Sequence, residues 1–430
     1  MNREILRLAL PNILSNLSVP LLGIVDTALM GRQPSPAYLG AVALATIIFN
    51  FLYWGMGFLR MGTTGLTAQA YGQGENLVQL RLLGQALLLG LAAGCLFVLF
   101  QIPIERLSFW LLEGDQETIA LGQEYYYIRI WAAPATIGLY ALVGWLLGMQ
   151  EARIPMWLTI FSNVINIGLN FFFVYELEMA SAGVALATVM AQYAGLILGL
   201  IWVGKKYRTL LNRWREAEIF DPQAIKRFFS VNSDIFIRTV CLIFAFSYFT
   251  AQSSRLDLLL LAANQILLQY LHTMAYAVDG FAFAAESLVG KYTGRRDPQG
   301  LEQSIRYLFI WGMGFAVIFA LLYLLAGTAS LSLFTDQAEV IATAEPYLQW
   351  MALLPLLGAY AYLWDGIYFG ATAARPMRNA MLITTFGVFL PLAWLSNHWG
   401  NHWLWAAMAA YLFSRGLGLH LFAKKYIRIP

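Results

Sequence analysis

The stretch Gly148-Met149-Gln150-Glu151-Ala152-Arg153-Ile154-Pro155-Met156 has an echo later in the chain, Gly370-Ala371-Thr372-Ala373-Ala374-Arg375-Pro376-Met377. The two glycines lie 222 positions apart (148 and 370), and so do the two arginines (153 and 375). Each copy closes a long apolar run with a proline upstream, Pro134 in the first and Pro355 in the second. Elsewhere the echo fades to composition, as between residues 39–75 and 261–297. The apparent match of Trp54-Gly55-Met56-Gly57-Phe58 with Trp311-Gly312-Met313-Gly314-Phe315 falls 257 apart (54 and 311), breaks this register and is not counted as part of it. A duplicated, almost wholly apolar chain is the pattern of a membrane protein built from two halves.

Composition sets the solvent. Of 430 residues, 60% are hydrophobic and 12% charged, with a mean hydropathy of +0.62. Soluble domains carry roughly 25% charged residues. A net charge of +3 gives no case for nucleic acid. Cys95 and Cys241 both sit in apolar runs, so neither a disulfide nor a metal site is indicated. The first apolar run starts at Ile5 with no small-residue cleavage site, which reads as a first span rather than a leader.

Apolar runs and turn signals predict twelve helices, at 5–31, 37–70, 79–101, 117–150, 154–176, 180–203, 227–251, 256–290, 302–328, 339–372, 376–396 and 401–423. With both termini in the cytoplasm, 20 of the 27 lysines and arginines fall on that side. Outer loops hold Arg32, Arg106 and Arg255; Arg60, Arg129, Arg238 and Arg415 fall within spans. The expected division is an N-terminal six-helix bundle at 1–204, a solvated cytoplasmic linker at 205–226 and a C-terminal bundle at 227–430. An even number of spans per half gives a parallel repeat, related by a pseudo-two-fold axis along the membrane normal. The fold expectation is therefore all-α and integral to the membrane.

Carboxylates inside a bilayer are functional candidates by default. Asp26, Asp279 and Asp365 lie well within spans, and Glu286 lies nearer the cytoplasmic end of its own. Asp26 is five residues or so from the outer end of the first span, roughly 8 Å deep. Asn166 and Asn170 share one helix face by their i, i+4 spacing. Asn170 and Thr188 come to roughly 9 and 12 Å of depth. These four side chains suit a proton held on a buried acid or a sodium-like hard cation held by oxygens. Helix-to-helix hydrogen bonding is the plainer use of the two amides and the hydroxyl. Asp234 and Arg238, four apart, are expected to neutralise each other. Aromatic and thioether side chains at Tyr53, Met56 and Met274 are candidates for binding flat organic cations, with packing the alternative. Trp399, Trp403 and Trp405 read as an interfacial belt. Pro11 and Pro20 interrupt the first span, and Pro11 is a candidate hinge.

Enzyme signatures are missing from the sequence. It has no phosphate-binding P-loop and no Gly-x-Ser-x-Gly, and its four histidines lack metal-ligand spacing.

Several segments together resemble the multidrug and toxic compound extrusion (MATE) family, DinF-type branch. They are Leu10-Pro11-Asn12-Ile13, Val25-Asp26-Thr27-Ala28-Leu29-Met30-Gly31, and the run from Arg60-Met61-Gly62-Thr63-Thr64-Gly65 to Tyr71-Gly72. Asp234-Ile235-Phe236-Ile237-Arg238-Thr239, Asp279-Gly280-Phe281-Ala282-Phe283-Ala284-Ala285-Glu286, Trp364-Asp365-Gly366-Ile367 and Arg375-Pro376-Met377-Arg378-Asn379 complete the set. The resemblance implies a V-shaped pair of bundles and secondary antiport of organic, usually cationic, compounds against protons or sodium ions. It maps an ion-coupling acid onto Asp26, an asparagine onto Asn166, a threonine onto Thr188 and a bending proline onto Pro11. The family's second acid falls on Asn170, which carries no charge. A single acid favours the proton. No cofactor beyond the coupling ion is expected. The partners are small organic substrates and membrane lipids, and the chain is expected to act as a monomer in the inner membrane. A flippase for lipid-linked precursors and a non-transporting receptor or scaffold are the alternatives.

Overall fold

The computed structural model describes residues 1–112 and 115–427, so Arg428, counted above on the cytoplasmic side, lies outside the described residues. Seventeen α-helices follow in order: α1 (Asn2–Met30), α2 (Ala37–Gln73), α3 (Asn76–Leu99), α4 (Gln101–Leu111), α5 (Gln116–Arg129), α6 (Ala133–Gly148), α7 (Arg153–Phe171), α8 (Ala180–Lys206), α9 (Arg208–Leu211), α10 (Pro222–Leu256), α11 (Leu258–Arg295), α12 (Pro298–Ala326), α13 (Ala338–Ala344), α14 (Leu348–Gly370), α15 (Ala374–Leu382), α16 (Leu390–Trp399) and α17 (Asn401–Tyr426). No strand occurs among the described residues. In lipid a helix satisfies every backbone donor and acceptor within itself, which leaves little alternative.

Eleven of the described segments are long and apolar enough to cross a membrane. The last helix, α17, spans 26 residues but is diluted by His402, Arg415, His420, Lys424 and Lys425. The expected span at 117–150 is two helices, α5 and α6, joined by the 3-10 turn Ile130–Ala132. Pro134 sits in the first turn of α6, where its missing N–H costs nothing. The amphipathic α4 was not anticipated, because 11 residues are too few to cross. Large apolar side chains face outward, Leu325 at 85% exposure among them, as a lipid-solvated surface requires.

The chain forms two compact units, residues 14–228 and residues 1–13 with 229–430. Residues 1–13 thus pack with the C-terminal unit, not with the N-terminal bundle where sequence order puts them. Two side chains of α11 fix this: Lys291 Nζ and Tyr292 Oη each donate to Glu4 at 2.8 Å. The linker, largely exposed, is also anchored at a few points. Arg81 of α3 donates to the Ala217 carbonyl at 2.7 Å and to Asp221 at 3.0 Å, and Gln85 donates to the Ile219 carbonyl at 2.9 Å.

The repeat is deeper in the backbone than in the residues. Within the first unit, a methyl group at Gly144 would stand 2.5 Å from the Arg60 carbonyl oxygen, and one at Gly148 2.9 Å from that of Thr64. Within the second, Gly366 abuts the Ala282 carbonyl, and a methyl at Gly370 would stand 2.6 Å from that of Glu286. Every one of these four residues has its counterpart 222 positions on. So do three turns with positive φ: Gly74 and Arg296, Gln150 and Thr372, Glu178 and Gly400. The same close helix pair, α2 with α6 and α11 with α14, is built twice.

Gly144→Ala and Gly366→Ala each force a backbone shift and are expected to lower the thermal midpoint of the purified protein, at a cost of roughly 1–3 kcal/mol. Gly168→Ala and Gly314→Ala, where the added methyl meets open space, leave the midpoint unchanged or raise it.

Candidate functional site

The N-terminal unit brings its four expected polar residues together. Asn166 and Asn170 project from one face of α7 into the interior, 1% and 0% exposed. Asn170 Nδ2 donates to Asp26 Oδ1 at 2.7 Å and to Asn166 Oδ1 at 2.9 Å. Asn166 Nδ2 donates to Thr188 Oγ1 at 3.0 Å, and that hydroxyl donates to the Val184 carbonyl at 2.9 Å. The result is one line of hydrogen bonds running from the half-buried carboxylate of α1 through α7 to the backbone of α8. Its polarity is set at one end, since an ionised carboxylate only accepts. Asn170 Oδ1, also buried, has no hydrogen-bond partner and is an idle acceptor next to the acid.

A residue that sequence reading left without a role completes the site. Arg129, in the last turn of α5, holds its guanidinium over the rings of Phe49 and Tyr53, 5.1 and 5.5 Å from their centroids. It donates to Tyr53 Oη at 3.5 Å, and the Tyr125 phenol lies within its electrostatic reach. Its charge also acts on the Asp26 carboxylate. Tyr125 and Arg129 are spaced i, i+4, which was a visible sign of a shared face. Tyr53, expected to face a cavity, is buried in the core and carries Arg129; Met56, one turn on, is half-buried.

In the C-terminal unit the charges form a different pattern. Asp365 of α14 receives both Arg238 of α10 and Arg415 of α17, all three buried. The guanidiniums are backed by aromatic rings: Arg238 lies 5.5 Å from the Phe369 centroid and Arg415 5.6 Å from that of Tyr362. Asp279 and Glu286 of α11 lie within electrostatic reach of Arg238. The expected Asp234–Arg238 pair is replaced by longer-range partners. Asp234 takes Arg378 at 2.6 Å and Arg375 at 3.9 Å, because the N-terminal end of α15 packs there, while Arg238 turns inward to Asp365. Glu286 is buried, 1% exposed. Met274 is fully buried core against Gly358, and Trp405 is also core, donating to Asn264 Oδ1 at 2.8 Å rather than marking the interface.

Among the described residues, no three His, Cys, Asp or Glu side chains cluster as metal ligands. The N-terminal site offers one carboxylate, two amide oxygens and a hydroxyl. Three of those oxygens already accept hydrogen bonds, Asp26 Oδ1 and Asn166 Oδ1 from Asn170 and Thr188 Oγ1 from Asn166.

Comparison with known proteins agrees with the geometry. The MatE family model matches residues 11–172 and again residues 235–395, once for each copy of the repeat. DNA damage-inducible protein F of Escherichia coli K12 is 39% identical over 437 residues, covering 99% of this chain and 93% of that one. A probable multidrug resistance protein NorM of Bradyrhizobium diazoefficiens is 25% identical over 421 residues, 92% of this chain and 87% of that one. A MATE transporter solved in a straight conformation shares the fold, with a TM-score of 0.90 at 17% identity over 99% of this chain and 95% of its own. A twice-matched family model and a relative of such closeness decide the matter: the chain belongs to the MatE family, whose members are multi-pass membrane transporters and not enzymes.

Proposed function

We propose that the chain is a proton-coupled antiporter that exports organic cations, with Asp26 as the group that carries the coupling proton. The supporting observation is the Asp26–Asn170 hydrogen bond and the line of amides behind it. Ionised Asp26 needs the donor that Asn170 supplies. Protonated Asp26 is itself a donor, and the idle acceptor beside it is Asn170 Oδ1. Protonation therefore reverses what the carboxyl asks of α7 and loosens the tip of α1.

Helix α1 is suited to carry that change. Its base is held by Glu4 to α11 of the C-terminal unit, and its remainder from Leu14 onward belongs to the N-terminal unit. Pro11 and Pro20 flank that boundary and cannot donate the backbone bonds of their turns. In this reading α1 bends at Pro11 when Asp26 changes state, and proton and drug exclude each other from the N-terminal unit. Asp365 is already matched by two arginines, so cation recognition is assigned to the Asp26 side. The protein works as a monomer in the inner membrane with both termini in the cytoplasm. One proton entering down 100 mV supplies about 2.3 kcal/mol, enough for a gradient of roughly fifty-fold in a neutral substrate.

In proteoliposomes, a pH gradient without sodium is expected to drive efflux of a cationic dye. Asp26→Asn is expected to abolish that efflux while keeping the wild-type thermal midpoint. Dye export by this variant equal to wild type removes the proposal. Asp365→Asn is expected to do the opposite kind of damage: it leaves two buried guanidiniums without their counter-charge, at a cost of about 3–5 kcal/mol. A lowered midpoint or failed expression of that variant is the readout.

A further inference from the structure

Where the linker runs into α10, a cavity opens that the transport reading leaves unused. It has a volume of about 370 Å³ and lies between the end of α2, the start of α3 and residues 221–228, all within the unit formed by residues 14–228. Buried Leu66, Leu82 and Phe228 give it apolar walls. Gln85 belongs to the same wall and is 6% exposed. Its Nε2 donates to the Ile219 carbonyl at 2.9 Å, which fixes the way the amide faces. Its Oε1 is buried and has no hydrogen-bond partner. An acceptor buried without a donor costs free energy, and a ligand that brings the donor recovers it. Two arginines also line the cavity. Arg81 is already matched, by the Ala217 carbonyl, Asp221 and Glu218. Arg227 is exposed and makes no ion pair among the described residues.

We propose that this cavity is a specific site for an anionic glycerophospholipid whose head group carries a hydroxyl. The phosphodiester pairs with Arg227, the hydroxyl donates to Gln85 Oε1, and the apolar walls take the glycerol backbone and the first methylenes. The place in the fold favours a lipid over a dissolved phosphate. Gln73 ends α2 and Asn76 opens α3, so the cavity lies at the ends of two spanning helices, level with the head groups. The linker exposes Phe220 at 76% and Trp214 at 39%, side chains that settle at the boundary of head groups and acyl chains. Between residues 205 and 227 it carries seven basic and three acidic side chains, a balance that draws an anionic leaflet. Basic pockets between spanning helices on the cytoplasmic side suit such head groups. A choline head group fits neither partner, because its quaternary ammonium has no N–H for Gln85 and its charge repels Arg227.

Delipidated protein in detergent is titrated with dioleoylphosphatidylglycerol, dioleoylphosphatidylcholine or glycerol phosphate, and the bound ligand is counted by native mass spectrometry. Wild type is expected to retain phosphatidylglycerol in preference to phosphatidylcholine, and glycerol phosphate is expected not to displace it. Arg227→Gln is expected to weaken retention about five-fold, the effect of one basic side chain at an anionic surface. Gln85→Met and Ala224→Trp, whose added ring occupies the cavity, are expected to weaken it as well. Arg215→Gln removes an exposed linker charge outside the cavity lining and is expected to retain the lipid as wild type does. Thermal midpoints in lipid-free detergent show that each variant is folded. Equal retention of the two lipids overturns the inference, as does a folded Arg227→Gln protein that binds like wild type. Equal losses in Arg215→Gln and Arg227→Gln mean diffuse attraction and no built site, which also overturns it. Displacement by glycerol phosphate overturns the lipid assignment in favour of a soluble anion. None of these outcomes depends on Asp26, so the coupling assignment is tested separately.

Discussion

One hydrogen bond organises the N-terminal unit, that from Asn170 Nδ2 to Asp26 Oδ1 at 2.7 Å. A carboxylate inside an apolar bundle has to find donors or a counter-charge, and this one has both. Asn170 supplies the donor, and Arg129 lies within electrostatic reach. Each has its own support, Asn170 in the amide line toward Thr188 and Arg129 in a pocket of aromatic rings. Satisfying the acid this completely holds the tip of α1 against α7. It also makes the arrangement conditional, because a proton on Asp26 would remove its charge and weaken the bond that Asn170 donates.

The scaffold around this site is a duplicated one, and the contrast between scaffold and charge is informative. Small residues at Gly144 and Gly366 bring two helices into backbone contact at equivalent places in both units. Left-handed turn residues recur at the same interval of 222 positions, 74 and 296 for instance. The charges do not recur. The counterpart of Asp26 is Tyr248, that of Arg129 is Met351, and those of Asp365 and Arg238 are Val143 and Asn16. A shared backbone therefore carries one site in which an acid is bound by an amide, and another in which Asp365 lies between two arginines. The second is a buried ion cluster whose parts hold helices α10, α14 and α17 to one another.

Much of this was readable from the residues. Most of the spans followed from apolar runs, eleven segments meeting the length and hydropathy of a crossing where twelve were expected, and depth along each helix placed Asp26, Asn166, Asn170 and Thr188 side by side, where the structure joins them. What escaped were partners far apart in sequence. Arg129 is 103 positions from Asp26, and Arg238 is 127 from Asp365. Helical spacing paired Arg238 with Asp234, four residues away, but tertiary packing offered both residues better-placed partners. The turn equivalences were hidden for another reason. Glycine, arginine, glutamine, threonine and glutamate all occupy the left-handed conformation here, so the backbone repeats where the residue types do not. Glu4 was hidden because the first helix crosses from one compact unit to the other, which apolarity alone does not reveal.

The account stands on Asp26 giving up or taking a proton as substrate comes or goes. Its most direct test is proton release on substrate binding, followed with a pH indicator in weakly buffered solution of the purified protein. On addition of an organic cation the wild-type protein should release about one proton per molecule bound, and the Asp26→Asn protein none. Binding of the cation to wild type with no proton release, or equal release from both proteins, would contradict it.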